Sequence, residues 1–244
     1  MKALLYLLIF GAAQFFANVP TEQSSRLEVE VCQKSFEAQL VKLQGGASTV
    51  ESEVERARLN FYLGRCLQIE NVTDRALSFF EKGLESADAA LALKSNSWEA
   101  VFWWGANKGS IADIKRNLGA LKTIKTIEDK MLQMQGENPD YGYAGPNRVL
   151  GKIYQNAPRF ISIGSSSKAE KALKAAYEKF PNFPGNVIAL AEFYEDEGRT
   201  DEAKKLLFPL IEAKTIQTGD FGLFNVEKAA WEKMVQELLK KWGR

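Results

Sequence analysis

Leu63-Gly64-Arg65-Cys66-Leu67, followed by Ala76, Phe80 and Gly83, sets out a spacing that returns unchanged at Leu190-Ala191-Glu192-Phe193-Tyr194, Ala203, Leu207 and Leu210. The intervals have a physical meaning. A small residue on one helix lets a second, antiparallel helix come close, and the large apolar residues around it fill the seam between the two. A third copy opens with Leu150, Gly151 and Tyr154 and resumes at Ala169, Leu173, Ala176 and Pro181 after six extra residues.

This pattern resembles the tetratricopeptide repeat (TPR), whose unit is a helix–turn–helix, and Pro181 stands where that pattern ends. The expected fold is all-α: a TPR-like helical-repeat solenoid of antiparallel helix pairs with a C-terminal capping helix. Stacked pairs bury one face and leave a concave groove, so the identity of a ligand is carried by groove side chains and not by the repeat signature.

With 244 residues, 45% of them hydrophobic and 26% charged, the chain can bury one continuous spine. Its first segment is different in kind. Met1-Lys2 precedes an apolar run from Ala3 to Ala13, continued by small and aromatic residues to Ala17 and then by polar Asn18, Thr21 and Glu22. Residues 1–17 therefore read as a secretory signal peptide, with cleavage after Ala13 or Ala17, and residues 18–244 as a single α-helical domain. The competing reading, a membrane anchor, needs about 20 apolar residues. The first Cys is Cys32, well past the apolar run, so acyl anchoring is not expected. The expected location is periplasmic or secreted, with no stable membrane anchor after cleavage.

Lys and Arg total 32 and Asp and Glu 31. Loss of Lys2 with the leader makes the mature chain formally neutral. Without a basic cluster, nucleic acid is not an expected partner, because phosphate neutralisation supplies most of that affinity. Export gives the two cysteines a meaning. Cys32 on a first helix and Cys66 on the next come level across the turn near residues 44–48, where an oxidising compartment allows a disulfide. Two buried thiols are the other reading.

Along the chain, Leu27, Val31, Phe36, Leu40 and Leu43 mark a first helix ended by Gly45-Gly46. Residues 51–69 and 73–93 make a clear pair, with Thr73 the expected N-cap of its second helix. Trp98 to Gly105 opens another helix, and 111–134 reads as one long amphipathic helix striped by Ile114, Leu118, Leu121, Ile124, Ile127 and Met131. The aromatics Trp98, Phe102, Trp103 and Trp104 are read as core. Pro146 suits a first helical position, Ser167 and Glu170 suit a capping box, and Gly198 suits a helix end. Residues 184–197 and 200–213 form the last pair, and 226–242 the capping helix.

Chemistry is sparse. The chain has no His, which removes the commonest general base and the commonest transition-metal ligand. Cys-pair zinc spacing, a phosphate loop and a dinucleotide fingerprint are all missing. Glu195-Asp196-Glu197 reads as a solvated helix end. No enzyme, metal or cofactor is expected.

Tyr141-Gly142-Tyr143-Ala144-Gly145-Pro146-Asn147-Arg148-Val149-Leu150-Gly151-Lys152-Ile153-Tyr154, followed by Ala157-Pro158 and the helix from Ser167 to Leu173, resembles the T component of TRAP transporters over residues 75–210. The resemblance implies a periplasmic helical protein that associates with the substrate-binding component of a TRAP-type uptake system and holds a small, partly apolar ligand. The repeat frame separately selects the groove positions: Arg58, Phe61, Arg65 and Gln68; Glu99, Phe102 and Ala106; Arg148, Lys152 and Gln155; Ile188, Glu192 and Glu195. On this reading the groove runs from basic to acidic, and Arg148, Lys152, Asn147, Arg65, Phe61, Phe102 and Glu192 are its candidate ligand- or partner-binding residues. Arg148 sits in the first turn after Gly145-Pro146, where helix N–H groups and a guanidinium together suit a carboxylate. An ion pair with Glu192 is its structural alternative. A solvent-facing Arg148 predicts that its loss weakens binding and leaves stability unchanged.

Overall fold

A computed structural model describes residues 33–34, 36–69, 71–115, 118–157, 163–212, 235 and 238–242. The signal segment, Cys32 and most of the 226–242 capping helix lie outside them. The described residues carry eight full helices: α1 (Val50–Ile69), α2 (Thr73–Leu93), α3 (Trp98–Lys115), α4 (Leu118–Glu137), α5 (Tyr141–Asn156), α6 (Ser166–Lys179), α7 (Pro184–Asp196) and α8 (Thr200–Glu212). Among the described residues no helix is long and apolar enough to cross a membrane.

Consecutive helices pack as pairs, and α1, α3, α5 and α7 also touch in turn, giving one layer of first helices with α2, α4, α6 and α8 outside it. Small residues set the approach within each pair. A Cβ on Gly64 would stand 2.5 Å from Phe80 Cε1, and one on Gly151 would stand 2.5 Å from Leu173 Cδ2. These are equivalent contacts in the first and third repeats, so the spacing recognised in the sequence is the close contact of the two helices. In the second repeat the partner of Gly105 is Met131, whose methyl would lie 3.0 Å from the added carbon. Sixteen residues separate Gly64 from Phe80, but twenty-six separate Gly105 from Met131, because the second contact lies further from the connection between its helices, in the first half of α3 and late in α4.

Three local expectations need correction. The stretch 111–134 does not start a helix of its own at Ile111: α3 runs from Trp98 through Ile111 and Ile114 to Lys115, α4 covers Leu118–Glu137, and residues 116–117 between them lie outside the described residues. Apolar residues at helical spacing already run from Trp98 into Ile111 and Ile114, so periodicity alone does not mark a helix start at Ile111. Thr73 is the first residue of α2 and Val72 its N-cap, with no side-chain cap. For α6 the cap is Ser165, whose hydroxyl accepts from Lys168 N, while Glu170 reaches Arg199 and Lys174 instead of closing a capping box. Gly198, at φ +75°, ends α7 as expected, since that region favours a residue without Cβ.

Candidate functional site

The first-helix layer carries the groove positions, and α5 and α7 are joined there by a polar ladder. Lys152 Nζ donates to Glu192 Oε2 at 2.9 Å and to Gln155 Oε1 at 3.1 Å, and Gln155 Nε2 donates to Asp196 Oδ2 at 2.5 Å. On α1, Arg65 Nη1 donates to Gln68 Oε1 at 3.0 Å, and Arg58 is held by Glu55, four-fifths of a turn earlier. A run from basic to acidic is thus replaced by local pairing, each cation meeting a neighbouring acceptor.

Other positions are not open to the groove. Phe102 is buried, meeting Trp103 at 5.2 Å and Tyr141 at 5.0 Å between ring centroids. It presses so closely on Gly145 that a Cβ there would lie 2.5 Å from its Cε2. Ile188 is buried too, and so is Asn147, whose Oδ1 accepts from Gln135 Nε2. Phe61, partly buried, lies 5.9 Å from Phe80 and 5.6 Å from Trp103, linking the pair α1/α2 to α3.

Arg148 has a role of another kind. Just before it, Gly142, Tyr143 and Ala144 all have left-handed dihedrals, with φ of 58°, 58° and 60°. A left-handed residue with a Cβ costs roughly 1–2 kcal/mol, so two in succession persist only where the surroundings hold them. Arg148 holds them: Nη2 donates to Gly142 O and Nη1 to Tyr143 O, each at 3.1 Å. Nη1 also donates to Asn186 Oδ1 at 2.8 Å, and the guanidinium carbon sits 4.9 Å from the Phe183 ring centroid. Fully buried Asn186 completes the lock, its Nδ2 lying 3.1 Å from Tyr143 O, 2.9 Å from Ala176 O and 3.3 Å from Phe180 O. Tyr143 stacks on Phe183 at 4.6 Å. Neither a carboxylate site nor a Glu192 pair describes this arrangement. The guanidinium is turned to main-chain carbonyls, and Glu192 is taken by Lys152.

At the far end of the layer, Glu195 is buried and accepts from Thr200 Oγ1, from Trp242 Nε1 and from Lys241 Nζ, each at 2.9 Å. Burial works to raise its pKa, but the three donors prevail and hold the carboxyl below its ordinary value. This residue therefore anchors the C-terminal segment, and Trp242 also meets Phe208 at 6.5 Å. On the other side of α5, burial pushes the Tyr154 hydroxyl up to about 12; it donates to buried Glu128 at 2.9 Å. Among the described residues no group of three or more Cys, Asp or Glu is placed to hold a metal.

The close Gly64–Phe80 and Gly151–Leu173 contacts and the layered pairing are those of a TPR array, and residues 164–215 match the tetratricopeptide-repeat family. The chain is an all-α protein of consecutively packed helix pairs, consistent with a TPR-like helical repeat. No curated protein matches it. The matched TPR residues span α6, α7 and α8, the region where Asn186 and Glu195 sit. Neither residue could have been chosen from the sequence as a lock or an anchor. A single Asn inside a helix carries no spacing, and positive φ at Tyr143 and Ala144 is not advertised by their residue types.

Proposed function

We propose that this protein is a non-enzymatic, exported binding or adaptor protein that engages a protein or peptide partner through the face formed by α1, α3, α5 and α7. The observation that carries the reading is the unbroken contact of these four helices, which makes one surface out of four separate repeats. TPR arrays generally mediate protein–protein interaction. The paired polar side chains along the face, such as Lys152 with Glu192, hold it in one shape, so little ordering is left for the moment of binding. The leader-like residues 1–17 support a periplasmic or secreted location.

A photo-crosslinking amino acid at Gln155, on the face, compared with one at Leu93, exposed at the end of α2, tests the reading. Adducts to one defined protein from Gln155 alone support it. Equal labelling from both positions overturns it. A second reading, an accessory component of a TRAP-type uptake system holding a small apolar ligand, is favoured by the 141–154 motif. That reading expects a small molecule to remain bound through native mass measurement and a substrate-binding protein to be the crosslinked partner.

A further inference from the structure

Glu195 stands at the last groove position of α7, and the chain itself supplies what its carboxylate meets there. Trp242 Nε1 donates to Oε2 and Lys241 Nζ to Oε1, each at 2.9 Å, on a side chain only 6% exposed. The indole is held in two further ways by α8. Phe208 meets its ring at 6.5 Å and 79°, and Lys204 Nζ lies 5.4 Å from its centroid. An N–H donor, an aromatic edge contact and a face turned to a cation are together the properties of a tryptophan.

The C-terminal segment divides into a fixed part and a terminal turn. Val235 and Leu239 are buried in the main core, whereas the Lys241 side chain is 59% exposed and Trp242 only partly buried. Residues 238–241 are helical and Trp242 forms a turn, its amide held by Leu238 O at 3.0 Å and Leu239 O at 3.1 Å. The last turn of a helix is among the first parts of a protein to open, so Lys241 and Trp242 can lift while Val235 and Leu239 stay in place. The space this uncovers is that of one indole and one ammonium, so the present occupant shows the room for a replacement. A carboxylate set this deep is costly to leave without its cation, and Asp196 stands next to it, accepting from Gln155 on the groove face.

We propose that Lys241 and Trp242 are the internal occupant of a recognition site centred on Glu195, and that a partner segment carrying a Trp beside a Lys replaces them there. The chemistry of the site selects this ligand. Phe would fill the ring position and leave Glu195 without the N–H, and an acidic segment would be repelled by Glu195 and Asp196. While the terminal turn is seated it competes with the partner, so the contact is autoinhibitory. The inference rests on the partner-binding reading above and names the chemistry of the bound segment at the α7 end of the face.

The probe is a fluorescent peptide of the chain's own 238–244 sequence, Leu-Leu-Lys-Lys-Trp-Gly-Arg, with a version carrying Phe in place of Trp as control. The full-length protein is the receptor. The peptide binds Trp242→Ala about tenfold more tightly than wild type, because in wild type the tethered turn competes at an effective concentration of about 1 mM. The Phe version binds Trp242→Ala about tenfold more weakly than the Trp version, and adding Glu195→Gln to Trp242→Ala weakens the Trp version by a similar factor, the effect of losing one charge-assisted hydrogen bond. If Trp242→Ala does not fold, wild type carries the test: about 1 mM peptide, matching the tethered turn, speeds amide exchange at Trp242. Equal affinity of wild type and a folded Trp242→Ala, equal binding of the Phe and Trp versions, or exchange at Trp242 unchanged by the peptide overturns the proposal. If the peptide fails in these ways while crosslinks from Gln155 still reach one protein, the Glu195 site alone is wrong and the adaptor reading stands. If the peptide binds as expected but Gln155 captures nothing, the turn is exchangeable without a partner, and the partner half of the proposal falls with the adaptor reading.

Discussion

Replacing Arg148 by Ala should destabilise the protein strongly, the opposite of what a groove-facing arginine predicts. The substitution removes three hydrogen bonds from an ionised donor, to Gly142 O, Tyr143 O and Asn186 Oδ1, and the cation–aromatic contact with Phe183. It also leaves two left-handed non-glycine residues, Tyr143 and Ala144, with half of their restraint. Charge-assisted hydrogen bonds of this kind contribute about 1 kcal/mol or more each when half-buried, so the expected loss is about 3 kcal/mol. For a chain of this size that lowers Tm by roughly 10 °C. Circular dichroism melts and urea titrations of wild type, Arg148→Ala and Arg148→Lys measure it. Lys keeps the charge but not the fork, and should recover less than half of the loss. A cycle with Asn186→Ala should show coupling of about 1–2 kcal/mol, since the two side chains grip the same carbonyl. An Arg148→Ala protein melting within about 2 °C of wild type, or an additive cycle, would refute the reasoning.

Gly151→Ala should cost about 2 kcal/mol because its methyl meets Leu173 at the branch of that side chain, whereas Gly105→Ala meets only the flexible end of Met131 and should be close to neutral; chemical denaturation of the two variants compares them. Gly136→Ala, with nothing within 4 Å of the added carbon, should raise stability by about 0.5–1 kcal/mol, and a lowered midpoint would count against the helical geometry there. The Glu195 carboxyl titrates below the ordinary carboxylate value, so its stabilisation is complete above that ordinary value and is lost as pH falls through the lowered one. Amide exchange in residues 238–242 should therefore rise on acidification, and an identical pH profile in Glu195→Gln would contradict this. Lys152→Ala breaks a pair whose side chains are 35% and 24% exposed, so solvent screening holds its cost below about 1 kcal/mol; a melt as damaged as that of Arg148→Ala would mean that the pair is structural.

The sequence by itself determined the fold class and most helix bounds, since they follow from short-range terms. Leu63-Gly64-Leu67 and Ala76-Phe80 announce two helices in close approach because 3.6-residue periodicity and a missing Cβ are properties of the chain read in order. Gly198 ends α7 for an equally local reason. The groove face was half-legible: the repeat frame placed Lys152 and Glu192 on facing helices, and tertiary structure then decided that they pair with each other. What remained hidden depends on groups distant in sequence meeting in space. Asn186 finds Tyr143 O only because α7 packs on α5, and the left-handed turn at 142–144 is tolerated only because Arg148 and Asn186 converge on it. No local preference favours that turn. Its cost is offset by hydrogen bonds that exist only once the helices are stacked, so the direction of the Arg148 guanidinium was set by packing and not by the pattern that contains it.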